Sequence, residues 1–316
     1  MATGLTSLGL VVVNFRSHEL LRRNLGRLDL AGLDVTVVVV DNRSTEAERV
    51  AVSELAAQQG WQLVALEENA GFGAGVNAGV RRAVELGCGA LLLLNPDALA
   101  DRSAVVALHE QVVADPDAVV APRIVDSDGG EYFAGAWLDM ASGRTVGRAA
   151  APSPTLRPWL TAACLALSAD VWQRAGGFDP RYFMYWEDVD FSFRASAAGG
   201  RLVVRSDVTV VHDEGGSQLA ARQRAKSALY YRFNCRNRLV FGAVHLDRRS
   251  LVRWIVRTPA ESWQIVLRGG RRQLLTAPGA SLLPTVLGSV AGLLAAARAL
   301  LVARQEGRRR NSIARR

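Results

Sequence analysis

The sequence predicts an α/β fold built on a mostly parallel sheet with flanking helices, and three observations carry that prediction. Apolar, β-branched or leucine-rich runs recur at residues 8–14 (LGLVVVN), 35–41 (VTVVVVD), 61–66 (WQLVAL) and 90–95 (ALLLLN). Between them the spacing is helical, as in Leu20, Leu21, Leu25 and Leu28, or Val76, Val80, Ala83 and Val84. Three of the polar residues that follow such runs, Asn14, Asp41 and, just past Pro96, Asp97, fall at carboxyl ends of predicted strands. Strand and helix in alternation give parallel strands covered on both faces, and ligands of such sheets bind outside those ends. One Asn or Asp there is an ordinary turn former. Three on the same edge outline a site.

From about residue 126 the alternation breaks into Gly- and Pro-rich segments (SDGG, ASGRTVG, APSPTLRP), as a hairpin insertion would. WLTAACLALS then reads as a strand, and SADVWQRAGG as a helix closed by Gly176 and Gly177. Residues 219–304 read as mostly helical and arginine-rich, so two regions are expected, 1–218 and 219–316. The first strand starts without a basic leader or cleavage site and is not read as a signal peptide. Cys88, Cys164 and Cys235 are odd in number and lack CxxC spacing, which argues against a disulfide framework or a zinc site and fits a reducing cytoplasm.

The net charge of +8 is almost all arginine, Lys226 being the single lysine. Residues 298–316 hold seven arginines against Glu306, which favours an anionic partner. Without the basic and aromatic interleaving of RNA-binding modules, a membrane surface is the better reading than nucleic acid. A solvated tail is the plain alternative. Arg249, Arg253 and Arg257 recur every four residues beside Val252, Trp254 and Val256, a basic stripe next to an apolar face. Leu274 to Ala297 is uncharged and long enough to raise a spanning helix. Pro278, Pro284 and several glycines interrupt it, so lying in the interface ranks above spanning.

Four constellations carry chemistry. In VDNRST, Asp41 can accept a hydrogen bond from the imide N3 of uracil or thymine, and Glu46 and Glu48 suit a helix start. Residues 69–79, NAGFGAGVNAG, do not match the GxGxxG spacing of dinucleotide folds. The glycines there are expected to admit a nucleotide sugar close to the backbone, with Asn69 and Asn77 as amide contacts. In LLLLNPDA, Pro96 stops the strand and presents Asp97, an acid suited to a hard divalent cation; helix capping is the alternative. His212 ends a later strand and could complete that shell. Residues 181–194, RYFMYWEDVDFSFR, hold three carboxylates among six aromatic rings. A helix from near Tyr185 puts Trp186, Val189 and Phe193 on a core face and pairs Asp190 with Arg194. It leaves Glu187 and Asp188 in the first turn, with Asp188 available as a general base.

Together these segments resemble the inverting glycosyltransferases of family 2, with the GT-A fold, in the family's order over about residues 8–218. The LNPD and GGFD…FMYxEDVD forms are most similar to bacterial rhamnosyltransferases of cell-envelope polysaccharide assembly. The resemblance implies that Asn14, Asp41, Asn69 and Asn77 bind the nucleotide sugar, Asp41 through its base. It implies that Asp97, joined by His212, holds Mg²⁺ or Mn²⁺ against the diphosphate, that Asp188 is the base, and that Trp159 and Glu187 line the acceptor or donor pocket. The implied partners are dTDP-rhamnose and a glycan or polyprenyl-diphosphate-linked acceptor, at the inner face of the plasma membrane. No nucleic acid is implied, and a homo-oligomer stays open. Two positions depart from the family pattern: Asn95 stands for the first acid of its metal motif, and Ala162 and Ala163 precede Cys164 where relatives often have glycine. A nucleotidyltransferase acting on a sugar phosphate would need a Gly- and Arg/Lys-rich loop after the first strand, which NFRSHELL lacks. A non-catalytic basic nucleic-acid-binding protein would leave the acids at 97, 187 and 188 unexplained.

Overall fold

The structure, a computed structural model, describes residues 6–148, 153–212, 226–268 and 270–313. The HDEGGS segment after His212 and the end of the basic tail lie outside the described residues. In chain order the elements are β1 (Leu8–Asn14), α1 (His18–Arg23), β2 (Val35–Asp41), α2 (Glu46–Gln59), β3 (Gln62–Ala65), α3 (Phe72–Glu85), β4 (Ala90–Leu94), β5 (Ala98–Leu99), α4 (Arg102–Ala114), β6 (Ala118–Val125) and β7 (Glu131–Phe133). There follow β8 (Ala136–Asp139), β9 (Arg144–Gly147), β10 (Leu156–Trp159), β11 (Cys164–Ser168), α5 (Ala169–Ala175), α6 (Glu187–Ala197), β12 (Arg201–His212), α7 (Ala228–His245), α8 (Arg248–Leu267), α9 (Gly270–Thr276) and α10 (Pro278–Ile313).

The four apolar runs become β1 to β4, and the main sheet runs β3-β2-β1-β4-β11-β6-β12-β5, with β7 on β6. β1 and β4 are buried along their whole length, as the unbroken apolar runs of central strands require. The first four strands are parallel, and the register sets Asn14 directly opposite Asp41. β11 breaks the pattern by inserting antiparallel between β4 and β6, so the sheet is mixed. β12 returns parallel to β6 and ends by pairing His212 with Ala98 of β5.

Helix α3 lies close on the sheet because of its glycines. A Cβ at Gly79 would sit inside contact distance of Val11 Cγ1 and 2.8 Å from Val40 Cγ2. That spacing corrects the expectation that these glycines open room for a ligand, since the close approach is helix on strand. Helix α5 follows its sequence signals: Ser168 caps its start and Gly176, at φ 78°, closes it. Helix α6 starts two residues later than the periodicity suggests, because Tyr185 and Trp186 take φ of 63° and 76°. The core contact is therefore made by Phe191, with ring centroids 5.0 Å from Trp172 and 5.4 Å from Phe178, while Phe193 is half-buried.

By contacts the chain divides into two compact units, and the second takes in residues 138–145 and 152–156 besides 223–316. Within that unit Arg238 is buried and donates to the carbonyls of Ser142 and Trp254, and Arg144 grips Glu261 with two hydrogen bonds of 2.8 and 3.0 Å. Helix α10 runs 36 residues without the interruption expected of its prolines. Pro278 occupies the first helical position, where a missing N–H costs nothing, and Pro284 follows near the start.

Replacing Gly79 by alanine overpacks the α3–sheet contact. It is expected to lower unfolding free energy by about 1–3 kcal/mol, read as a lower urea midpoint at unchanged slope; an unchanged midpoint would show that the contact relaxes freely.

Candidate active site

The carboxyl edge of the sheet gathers the predicted residues into three groups, all within the first unit. The first lies at the ends of β1 and β2. Asn14 is fully buried, and its Oδ1 accepts from Ser17 N at 3.2 Å and Ser17 Oγ at 2.8 Å. Its Oδ1 shapes the turn after β1, while its Nδ2 is buried without a partner. Asp41 is also fully buried; Oδ2 accepts from Arg49 Nε at 2.8 Å, and Oδ1 has no partner. A buried acceptor without a donor is a costly state, which an incoming N–H relieves.

Asn42, which the sequence reading passed over, ties this edge to the next loop. Its Nδ2 donates to Asn69 Oδ1 and to Gly71 O, both at 3.1 Å, and its Oδ1 accepts from Ala70 N at 3.1 Å. Asn69 is exposed at the rim, its Oδ1 also accepting from Gly71 N at 3.0 Å. Gly71, at φ 87°, lets the start of α3 meet the segment before α6, where Phe72 N donates to Phe183 O at 2.9 Å. Asn77 clamps the same segment with both ends of its amide, Nδ2 to Phe178 O at 2.7 Å and Oδ1 from Phe178 N at 2.9 Å. Both ends of the Asn77 amide are thus engaged in positioning that segment.

The second group surrounds the turn at residues 95–98. Ala98 N donates to Asn95 O at 3.0 Å, a turn with Pro96 at its second place that projects Asp97. The β5–β12 pairing sets His212 against it, with Nε2 3.1 Å from Asp97 Oδ1 and 3.3 Å from Asn95 Nδ2. Asn95 Oδ1 and His212 Nδ1 are buried without partners. Exchanging the oxygen and nitrogen of the Asn95 amide, which are alike in shape, would bring an oxygen beside His212 Nε2. The fit to a small divalent cation is therefore good: one carboxylate oxygen and one imidazole nitrogen converge, and an amide oxygen is in reach. Among the described residues no cluster of three His, Cys, Asp or Glu adds further ligands.

The third group is the start of α6. Asp188 Oδ1 accepts from Val189 N at 2.8 Å, and its carboxylate also meets the Ala162 amide and the Thr161 side chain. Desolvation pushes its carboxyl up to about 6, against the pull of those donors. Glu187 beside it is buried, with Oε2 unpartnered, and desolvation followed by the Asp188 charge holds its carboxyl well above the usual range. Two adjacent carboxyls in so desolvated a place resist ionising together. Asp190 has the structural part the sequence suggested, accepting from Arg194 Nε at 2.7 Å, while Arg194 Nη2 donates to Gly177 O at 2.7 Å.

Ser192, one turn after Asp188 on the same helix face, is a second residue the sequence reading missed, although the spacing of four could have marked it. Its Oγ accepts from Leu160 N at 3.0 Å, fixing the strip 160–163 beside Asp188. Ala163 O in that strip accepts from Asn95 N at 2.9 Å, which couples the second group to the third. Trp159 stands at the head of the strip with its indole N–H buried and unpartnered.

The Glycosyltransferase like family 2 domain matches residues 6–232, which include all of these groups. The chain belongs to glycosyltransferase family 2. A similar relative is the N-acetylglucosaminyl-diphospho-decaprenol L-rhamnosyltransferase of Mycobacterium tuberculosis, 28% identical over 66% of this chain and 77% of its own. The low-salt glycan biosynthesis hexosyltransferase Agl10 of Haloferax volcanii is 24% identical over 75% of this chain and 76% of its own. Among solved structures, a mannosyltransferase of Pyrobaculum calidifontis in complex with GDP-Man and Mn²⁺ superposes with a TM-score of 0.55 at 17% identity, covering 93% of this chain and 87% of that one. The fold of this glycosyltransferase is GT-A, with C-terminal helices added.

If Asp188 is the base, its carboxylate is the active form. The enzyme's kcat/KM is then expected to fall about tenfold per pH unit below about 6 and to level off above it. Asp188→Asn should bind nucleoside diphosphate normally in calorimetry yet lose at least about 100-fold in turnover; near-normal turnover would remove Asp188 from the chemistry.

Proposed function

We propose that this glycosyltransferase is inverting and moves rhamnose from dTDP-rhamnose to a cell-envelope glycan or polyprenyl-diphosphate-linked acceptor. The observation that carries the reaction type is the place of Asp188 in the first turn of α6, its Oδ1 held by Val189 N at 2.8 Å and its carboxyl raised by desolvation to about 6, beside the buried Glu187. Such a group is ionised at neutral pH and still basic enough to take a proton from an acceptor hydroxyl. As that oxygen bonds to the anomeric carbon, the nucleoside diphosphate leaves from the opposite face, in one displacement. A protonated Glu187 would add no second charge to compete for the proton and could donate its O–H to a sugar or acceptor oxygen. Trp159 offers its free indole N–H to the same pocket.

Asp97 and His212, with Asn95 in reach, would hold Mg²⁺ or Mn²⁺, and the bound cation would neutralise charge on the leaving diphosphate. Asp41 Oδ1 would accept the imide N–H that thymine and uracil carry. The rhamnosyl donor and the polyprenyl-linked acceptor draw support from the mycobacterial relative, whose name states both the sugar and a diphospho-decaprenol acceptor. An acceptor of that kind would place the enzyme at the inner face of the plasma membrane.

A screen of UDP-, GDP- and dTDP-sugars, read as released nucleoside diphosphate, is expected to favour dTDP-rhamnose; preference for a GDP-sugar would overturn both the donor and the role of Asp41. Asp97→Ala is expected to weaken nucleoside diphosphate binding at least about tenfold with Mn²⁺ present and to leave binding in EDTA unchanged. Equal losses in both would make Asp97 structural.

A further inference from the structure

The helical unit is inverted in its use of side-chain size. Along α10 the buried positions are small: Ser281, Thr285, Gly288, Gly292 and Ala296. A Cβ at Gly292 would lie 2.9 Å from Arg236 O and 3.1 Å from Leu239 Cβ, so this face sits directly on α7. The large side chains point away, with Leu283 61%, Leu294 57% and Leu287 50% exposed, and within residues 278–302 an 18-residue window reaches a mean hydropathy of 1.9. Small residues at a helix contact and large aliphatic ones outside is the reverse of a water-facing helix and suits surroundings that are themselves apolar.

Helix α8 carries a matching edge. Val252, Val256, Trp263 and Leu267 are exposed along one stripe, and Arg249, Arg253 and Arg257 are exposed on the adjoining one. The hydrogen bond between Ser262 and Ser289 hydroxyls, 2.8 Å, sets α8 beside α10, with Trp263 and Val290 next in sequence on either side. An indole beside arginines suits the headgroup level of an anionic leaflet.

We propose that this unit docks flat on an anionic membrane surface, with the aliphatic face of α10 immersed, Trp263 at the interface and the α8 arginines on lipid phosphates. The neighbouring helix decides between lying flat and spanning. Arg232 and Arg236 on α7 run level with Gly288 and Gly292, in the middle of the uncharged stretch. If α10 crossed the bilayer, those guanidinium groups would be carried to its centre, which is costly. The inference stands whichever sugar is transferred, because it uses no residue of the candidate site.

Flotation of the full chain with phosphatidylcholine vesicles, with and without phosphatidylglycerol, tests it. The protein is expected to float with the anionic vesicles. The exposed triple variant Leu283→Gln, Leu287→Gln, Leu294→Gln should partition at least about tenfold more weakly, with far-UV circular dichroism and nucleotide binding retained. Arg249→Gln with Arg253→Gln should remove much of the salt-sensitive share. Brominated lipids should quench the fluorescence that Trp263→Phe removes, and more strongly with bromine near the headgroup than near the chain end. Three results would overturn the proposal: a full chain that stays in the soluble fraction, deep rather than shallow quenching, or a concentration-dependent dimer that the leucine variant abolishes while vesicles bind neither form. Donor hydrolysis measured without lipid separates this outcome from failure of the glycosyl-transfer reading.

Discussion

The candidate site depends on one reversed strand. β11 pairs antiparallel with β4 from Cys164 opposite Leu94 to Ser168 opposite Ala90, so the residues just before it run along the carboxyl edge where β4 ends. A parallel strand in that place would deliver a loop to the same edge only after a crossover connection. The reversed one delivers an extended strip. Ala163 O holds Asn95 N at one end of that strip, and Ser192 Oγ holds Leu160 N at the other. The distance between the Asp97 turn and the Asp188 helix is thereby set by one main-chain and one side-chain hydrogen bond. Loss of Ser192 Oγ would loosen the surroundings of Asp188 without touching it.

Opposing costs are concentrated at the start of α6. Two carboxyls side by side in a poorly solvated place cannot both ionise cheaply, and Tyr185 and Trp186 add left-handed backbone that side chains rarely adopt. The buried surroundings bear this: Tyr182, Trp186 and Phe191 are enclosed, Asn77 and Gly71 pin the preceding segment, and Arg194 neutralises Asp190. The strained pair ends the loop abruptly, so that Glu187 and Asp188 fall at the positive end of the helix instead of half a turn into it. Helix dipole and amide donors draw Asp188 down while burial raises it, and the balance near 6 is the one a proton acceptor needs.

What the sequence made legible follows from how local each signal is. Apolar runs marked β1, β2 and β4 because burial on both faces leaves little alternation to misread, and Ser168 and Gly176 marked α5 because caps act within a few residues. The polar ends Asp41, Asp97 and His212 were visible for the same reason. The hold on Asn77 was not, since its amide is occupied by a partner that only folding brings near, Phe178 being about a hundred residues away in sequence. The glycines of α3 were misread because close approach to a ligand and close approach to Val11 and Val40 demand the same residue. Trp186 and Val189 are buried as the periodicity suggested, Phe193 only half so, and no local rule announces two left-handed residues in a row. The insertion of β11 could not be read at all: an antiparallel strand and a parallel one have the same composition.

Asn95 bears on the charge of the proposed metal site. With Asp97 as the one carboxylate beside the His212 imidazole and the Asn95 amide, the protein would contribute a single acid to a divalent cation. Two acids in that place would cancel the cation's charge and hold it tightly before any donor arrived. One acid would leave a net positive charge, so a cation held there would bind weakly alone and more strongly beside diphosphate oxygens. The charge it would supply is the kind that stabilises a departing diphosphate. Asn95 is tied to Ala163 through its backbone N–H and not its side chain, so the strip that spaces the site would keep its hold if an acid stood there. An amide in place of an acid would therefore change the charge of the proposed metal site without altering the geometry around Asp188.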